Sequence, residues 1–337
     1  MLKVTVAGHI CADLTPELPA GIGIVPGQLT NVGPLIIRPG GCVVNTGGDL
    51  AALGVDVTTS GVLGSDELGR IVLDHLDRHG IGTANIEVST NAATSYSVVI
   101  EPPGMNRTFW HHVGANALFD GTSVSVNDTD LLHIGYPPLL PALLPDSGAA
   151  LAALLRRART ADMTTSLDMA VVDANSPAGR ADWHGLLKRI LPLVDVFSPS
   201  LEDLRSSLGV QSIVDRDGLQ RLARSLIDDG AAVVMISAGE DGVALCTAGA
   251  ERFAHGGRVL ADLTAQWCDV DLWMPALPVE QIKTTNGAGD AASAGLLYGL
   301  VAGCSAPQAA RLAITVAAAK IQGDPIANLS LANPNVV

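Results

Sequence analysis

Apolar and polar positions follow two rhythms along this chain. Short apolar runs recur at 2–8, 55–62, 131–134, 164–168, 194–197 and 232–236, and such runs predict buried strands. Between them apolar positions step by three and four. This spacing predicts a helix from Asn45 through Leu50 and Leu53 to a stop at Gly54, and another over 66–79 with Gly80 as its stop. Further helices are predicted over 149–160, 201–208 and 218–229, and two Ala-rich ones over 291–301 and 307–321. From Asp130 onward strand and helix alternate, which implies an α/β fold of parallel βαβ units with helices on both faces of one sheet. Two stretches break the rhythm. Residues 14–39 are rich in Gly and Pro, with extended pieces such as 31–38. Residues 81–113 alternate like strands, at 95–100 and 107–111 around a Pro103-Gly104 turn. Together they predict a small β-rich accessory, drawn from about 14–39 and 84–113, on a single domain covering 1–337.

Composition narrows the function. Of 337 residues 48% are hydrophobic, and Lys plus Arg total 20 against 34 Asp plus Glu, a net charge of −14. An anion of this kind is a poor nonspecific partner for nucleic acid or an anionic membrane. The longest basic cluster, Arg156-Arg157-Ala158-Arg159, reads as a solvated helix face. The five cysteines are scattered, with no CxxC pair, so neither a disulfide framework nor a cysteine zinc site is expected. The N-terminus lacks the charged start and apolar core of a signal peptide. No apolar run reaches the ~18 residues of a spanning helix. The chain reads as a soluble cytoplasmic protein.

Three features carry candidate chemistry. Lys283-Thr284-Thr285-Asn286-Gly287-Ala288-Gly289-Asp290 is a Gly-rich turn opening into an apolar helix. Backbone N–H groups of such a turn approach an anion closely, and the helix N-terminus adds positive potential. Asp290 then sits beside a bound phosphate, where a carboxylate can take a proton from an attacking hydroxyl; alternatively it is an ordinary N-cap. Gly40 and Gly41 precede Asn45, either as a turn and helix cap or as a flat backbone beside an amide that reads a hydroxyl. Asp13 follows the first predicted strand, on the side where doubly wound sheets bind ligands; it is also explicable as a loop carboxylate.

In this order the features resemble the ribokinase-like carbohydrate kinases of the phosphofructokinase-B type, over roughly Lys3 to Asn328. The correspondence runs through Gly8 to Asp13, Gly40-Gly41 with Asn45, and Gly64 with Asp66 and Gly69. It continues through Gly114 to Asn116, Ser237 to Gly242, and Thr284 to Asp290. The resemblance implies a Rossmann-like central sheet with a β-lid, formed by the β-rich accessory, and transfer of the γ-phosphoryl of ATP, with Mg²⁺, to a sugar or nucleoside hydroxyl. By resemblance Asp290 is the base and Gly287, Ala288 and Gly289 the anion hole. Asp13, Gly40, Gly41, Asn45 and Asn116 would hold the substrate. Ser200, Ser237, Gly239, Gly242 and Thr285 would hold the nucleotide, and Asp203 would act on the metal through water.

Departures qualify this. Thr284 stands where many relatives carry an Asp that helps hold a monovalent cation, which argues against potassium activation. Ser200 and Asp203 replace an Asn and a Glu, and Ala292 replaces an aromatic residue. His75 and His79 have metal-like spacing but no third ligand, and close a helix where His suits the dipole. Of Trp110, His111 and His112 in a lid strand, alternate residues share a face, so one side of the strand meets the sugar. Arg107 is a further candidate for substrate or nucleotide. No GxxxxGK[ST] motif is present. The expected activity is phosphorylation of a small neutral sugar, because a phosphorylated one would want clustered Lys/Arg and the Gly40-Gly41 segment carries Cys42 and Val43 instead. The alternatives are a nucleoside kinase and a binding-only regulator. Exposed edges of a lid sheet also suggest a homodimer.

Overall fold

The computed structural model describes residues 2–23, 25–103, 108–211 and 215–329. Arg107 and Gly104 of the expected lid turn lie outside them. Among the described residues two sheets form. In chain order the strands are β1 Lys3–Gly8, β2 Cys11–Pro16, β3 Leu35–Gly40, β4 Asp56–Gly64, β5 Gly82–Ser89, β6 Tyr96–Ile100 and β7 Thr108–His112. Then come β8 Leu131–Gly135, β9 Thr164–Leu167, β10 Val196–Phe197, β11 Val233–Ser237, β12 Val243–Thr247 and β13 Asp271–Met274.

The large sheet has the order β13-β12-β11-β10-β9-β8-β1-β4-β5. From β11 to β5 every pairing is parallel, while β12 and β13 add antiparallel at one edge. Val4, Val6, Leu131, Leu132, Ile134, Val233, Val234 and Ile236 are all buried. Consecutive buried residues in a strand mean cover on both faces, which is why these segments read as unbroken apolar runs. Helices Leu201–Leu208, Arg216–Asp228, Ala288–Val301 and Ala306–Gln322 lie where the spacing predicts them.

Several expectations are corrected. The helix expected from Asn45 runs Cys42–Ala52, with Gly41 as its cap, so Asn45 sits in its second turn. Asp13 is not a loop residue: β2 already begins at Cys11, pairs antiparallel with β3 and parallel with β6, and sets Asp13 opposite Arg38. The small sheet has the order β3-β2-β6-β7. Its second segment is therefore 96–112, not 84–113, since β5 pairs with β4 at the edge of the large sheet. Local alternation marks a strand without saying which sheet it joins. The basic cluster is not merely solvated. Arg157 donates to the carbonyls of Gly121 and Val124. Arg159 and Arg252 each reach the buried carboxylate of Asp195 at 3.0 Å.

Candidate active site

The site gathers at the C-terminal ends of β1 and β8, the side on which open parallel sheets take ligands. The Ala288–Val301 helix points its N-terminus there. Its cap is Gly287, in the left-handed region at φ 76°, so Asp290 is not the cap but the third helical residue. The first N–H groups of a helix lack intrahelical partners, and a Cβ on Gly289 would meet nothing within 4 Å. The Ala288 N–H reaches the Thr285 carbonyl at 3.4 Å, and the open space at Gly289 leaves room for an anion at the first helical turn, which Asp290 shares.

Asp290 is fully buried. Its Oδ2 accepts from Asn45 Nδ2 at 3.0 Å and from the Tyr136 hydroxyl at 2.6 Å, and its Oδ1 accepts from Thr46 Oγ1 at 3.0 Å. Burial raises its pKa, and these three donors with the charge of Lys320 pull it back. Tyr136 follows the last residue of β8 and is itself left-handed, φ 64°. Non-glycine residues rarely adopt that conformation, and where they do the strain tends to mark a functional site.

The small sheet supplies the opposite wall. Asp13 Oδ2 accepts from Asn286 Nδ2 at 3.1 Å, which ties β2 to the glycine turn. Burial raises the Asp13 pKa, and bonds from Asn286, Cys11 and Ser97 oppose the rise. The glycine pair is sterically required here. A Cβ on Gly40 would lie 2.6 Å from Asp13 Oδ2, and one on Gly41, at φ 83°, would lie 2.6 Å from both His9 Nδ1 and the His9 carbonyl oxygen. His9 sits between the walls, its ring stacked 5.6 Å from Tyr136 and tilted 5.1 Å from His111. His111 Nδ1 lies 3.1 Å from Ser97 Oγ. Both ring nitrogens of His9 and Nε2 of His111 are buried with no hydrogen-bond partner among the described residues. Desolvation keeps both rings neutral, lowering the His111 pKa to about 4 and that of His9 well below its ordinary value. On β7 it is thus His111 that turns inward, while Trp110 is half exposed.

Other expected residues have different work. The amide of Asn116 meets the N–H of Ile10 at 3.3 Å and its carbonyl at 3.0 Å, so it braces the link between β1 and β2 rather than facing the cleft. Asp66 caps the Glu67–Arg78 helix through Gly69 N–H and holds the Thr94 N–H at 2.7 Å, also as a brace. His75 and His79 lie side by side at the end of that helix.

Toward the nucleotide side, Ser200 bridges to Ser237 in parallel fashion. Gly239 and Gly242 shape the turn between β11 and β12, and Thr285 is exposed. Asp203 is buried and forms a capping box with Ser200: its Oδ2 accepts from Ser200 N–H at 2.8 Å, and Ser200 Oγ accepts from Asp203 N–H at 3.1 Å. Buried Asp168, at the end of β9, has its pKa raised by burial and by the charges of Asp290 and Asp203. Among the described residues no group of three or more His, Cys, Asp or Glu forms a metal-binding cluster.

Sequence reasoning missed Tyr136, Thr46, His9 and the role of Asp168. Tyr136 and His9 each directly follow a glycine that ends a parallel strand, closer to the strand end than Asp13, which its place past the first strand singles out.

Comparison with known proteins bears on the family and the fold. A family profile described as "pfkB family carbohydrate kinase" matches residues 1–328. A 1-phosphofructokinase of Rhodobacter capsulatus is 28% identical over 321 residues, 92% of this chain and 87% of that protein. A ribokinase of Haemophilus influenzae is 25% identical over 263 residues, 78% of this chain and 80% of that one. Among solved structures, Arabidopsis thaliana ribokinase complexed with ribose and ATP superposes with a TM-score of 0.71 at 18% identity, covering 96% of this chain and 93% of that one.

Proposed function

The chain belongs to the pfkB family of carbohydrate kinases, and we propose that it transfers the γ-phosphoryl group of ATP to a hydroxyl of a small neutral sugar, with Asp290 as general base. The observation that carries this is a buried carboxylate, held by three donors, in the first turn of a helix that opens from a glycine turn. The acceptor hydroxyl gives its proton to Asp290 as its oxygen bonds to the γ-phosphorus. The bond from that phosphorus to the β–γ bridging oxygen breaks, and ADP leaves. The turn at Gly287, Ala288 and Gly289 takes the charge on the transferring group, since this chemistry asks mainly for positioning and charge stabilisation. Ser200, Ser237, Gly239, Gly242 and Thr285 line the nucleotide side. Asp203 and Asp168 would hold, through water, a Mg²⁺ accompanying the nucleotide, and that ion would supply neutralising charge to the phosphates.

Neutrality of the acceptor is supported by what faces it: Asp13, Asn45, Asn286 and two imidazoles that burial keeps uncharged. A phosphorylated acceptor wants cations, and Asp13 is an anion. The test is ADP release with ATP, Mg²⁺ and a panel of neutral sugars, polyols, sugar phosphates and nucleosides. Asp290→Asn is expected to fold normally and to lose about 10²- to 10⁴-fold in kcat. An unchanged kcat refutes the assignment, and turnover on nucleosides or sugar phosphates alone refutes the neutral-sugar reading.

The small sheet also suits pairing of two copies. Among the described residues β3 and β7 are its outermost strands, and Leu35, Ile36 and Trp110 are exposed on them. Sedimentation is expected to give a dimer, and a monomer at micromolar concentration counts against it. No helix among the described residues is long and apolar enough to cross a membrane. All five cysteines are unpaired, in keeping with a proposed cytoplasmic setting.

A further inference from the structure

The last turn of the Ala306–Gln322 helix lies against the base of the anion-binding turn. The carbonyl of Ile321 accepts from the N–H groups of Lys283 and Thr284, at 2.9 and 3.3 Å. A helix C-terminus carries partial negative charge and favours a cation beside it. The phosphoryl group expected at the turn asks for one too. Thr284 has no carboxylate with which to hold a dissolved ion, and its hydroxyl already accepts from Asn286 N–H at 3.0 Å. One ammonium is built in beside the turn. Lys320, in that last helical turn, lays its Cε 3.2 Å from the position a Cβ on Gly287 would occupy. Its Nζ lies 2.9 and 3.2 Å from the two carboxylate oxygens of Asp49. Asp49 is buried, its side chain 8% exposed, and stands one helical turn from Asn45, which donates to Asp290.

We propose that the Lys320 ammonium, anchored by Asp49, is the fixed monovalent cation of this phosphoryl-transfer site. It holds the 284–289 turn against the Ala306–Gln322 helix and faces the transferring group with positive charge. An ammonium has three N–H donors and two carboxylate oxygens engage at most two, so one remains for the turn and its anion. Lys320 thus acts both on the turn, through Gly287, and directly on the bound phosphoryl.

The proposal rests on the kinase reading above, and its test separates the two. ADP release by the wild-type protein is compared in KCl, NaCl and choline chloride at equal ionic strength. Rates within about twofold of one another are expected, since a tethered cation needs no dissolved substitute. Lys320→Met is expected to lose tenfold or more in kcat with little change in acceptor KM, the order of effect of removing one stabilising donor. K⁺ or NH₄⁺ should restore part of that loss and choline none, and Lys320→Arg should keep most of the activity. Thermal melting of each variant separates misfolding from a kinetic effect. A wild-type enzyme that turns over only with K⁺ overturns the proposal whatever the variants do. So does Lys320→Met with full activity, or with a loss indifferent to the cation supplied. A wild-type protein that turns over no acceptor in the panel refutes the kinase reading instead.

Discussion

Replacing Tyr136 by Phe removes one oxygen from the catalytic pocket and leaves the ring that stacks on His9. That oxygen donates to Asp290 Oδ2 at 2.6 Å. Burial already raises the Asp290 pKa, and the Tyr136 bond is the largest influence opposing the rise. A hydrogen bond to an ionised group contributes about 1.5–3 kcal/mol. With 1.36 kcal/mol for each factor of ten, its loss makes the carboxylate about 10- to 100-fold easier to protonate. The sign follows from which form the bond favours: the donor stabilises the ionised base, so its removal favours the proton. Only the ionised carboxylate can accept the acceptor hydroxyl's proton. The acid limb of kcat/KM, which reports the free enzyme, should therefore move about 1–2 pH units toward alkaline pH, with the high-pH plateau retained. The assay is kcat/KM for ADP release across that limb for wild type and Tyr136→Phe, with melting temperatures to exclude a folding effect. An unmoved limb, or one shifted to lower pH, refutes the reasoning. A lowered plateau with an unmoved limb does so as well, because Tyr136 would then serve the chemistry rather than the base.

Two other outcomes can be checked directly. His133 is buried on β8 with Nδ1 2.9 Å from Ser166 Oγ. Its pKa falls from the ordinary 6.5 to about 3 through burial. The unfolded chain therefore takes up this proton first, and the stability tied to the neutral ring is present above pH 6.5 and lost as pH falls toward 3. In urea melts, the stability difference between wild type and His133→Gln should shrink by about 1.4 kcal/mol per pH unit below that point, and parallel curves count against this. His111→Ala should raise acceptor KM about 2- to 10-fold, the worth of one hydrogen bond, and leave kcat nearly unchanged; a fall in kcat at constant KM contradicts it.

What the sequence reveals about this protein follows from what is local. Strands buried on both faces, such as Leu131–Gly135, advertise themselves as apolar runs, and Leu201–Leu208 is bounded by its own Ser200 cap and Gly209 stop. By contrast β2, Cys-Ala-Asp-Leu-Thr-Pro, has little strand propensity, and tertiary pairing on both sides makes it a strand. At the site, Asp290, Asn45 and Asp13 are legible because glycines fence them. Tyr136 and Lys320 are not. The first meets Asp290 across 154 residues and the second meets Asp49 across 271, separations that no local spacing reveals, though Tyr136 does follow a glycine that ends a strand.

How the acceptor is chosen depends on which polar groups of the site are already satisfied. In the free protein the fenced residues already satisfy one another. Asn286 donates to Asp13, and Asn45, Thr46 and Tyr136 donate to Asp290. A sugar hydroxyl entering there exchanges one hydrogen bond for another, and such exchanges contribute only about 0.5–1.5 kcal/mol each. His9 and His111 differ, because their buried unpartnered nitrogens pay a desolvation penalty until a ligand meets them. An acceptor that offers hydroxyls to both imidazoles relieves that penalty, and one that lacks them leaves it standing. On this reading Asp290 and the glycine turn decide whether phosphoryl transfer occurs, and the imidazole pair decides onto what. Substitutions that change the preferred acceptor should then arise at His9 and His111, and substitutions at Asp13 should lower activity on every acceptor alike.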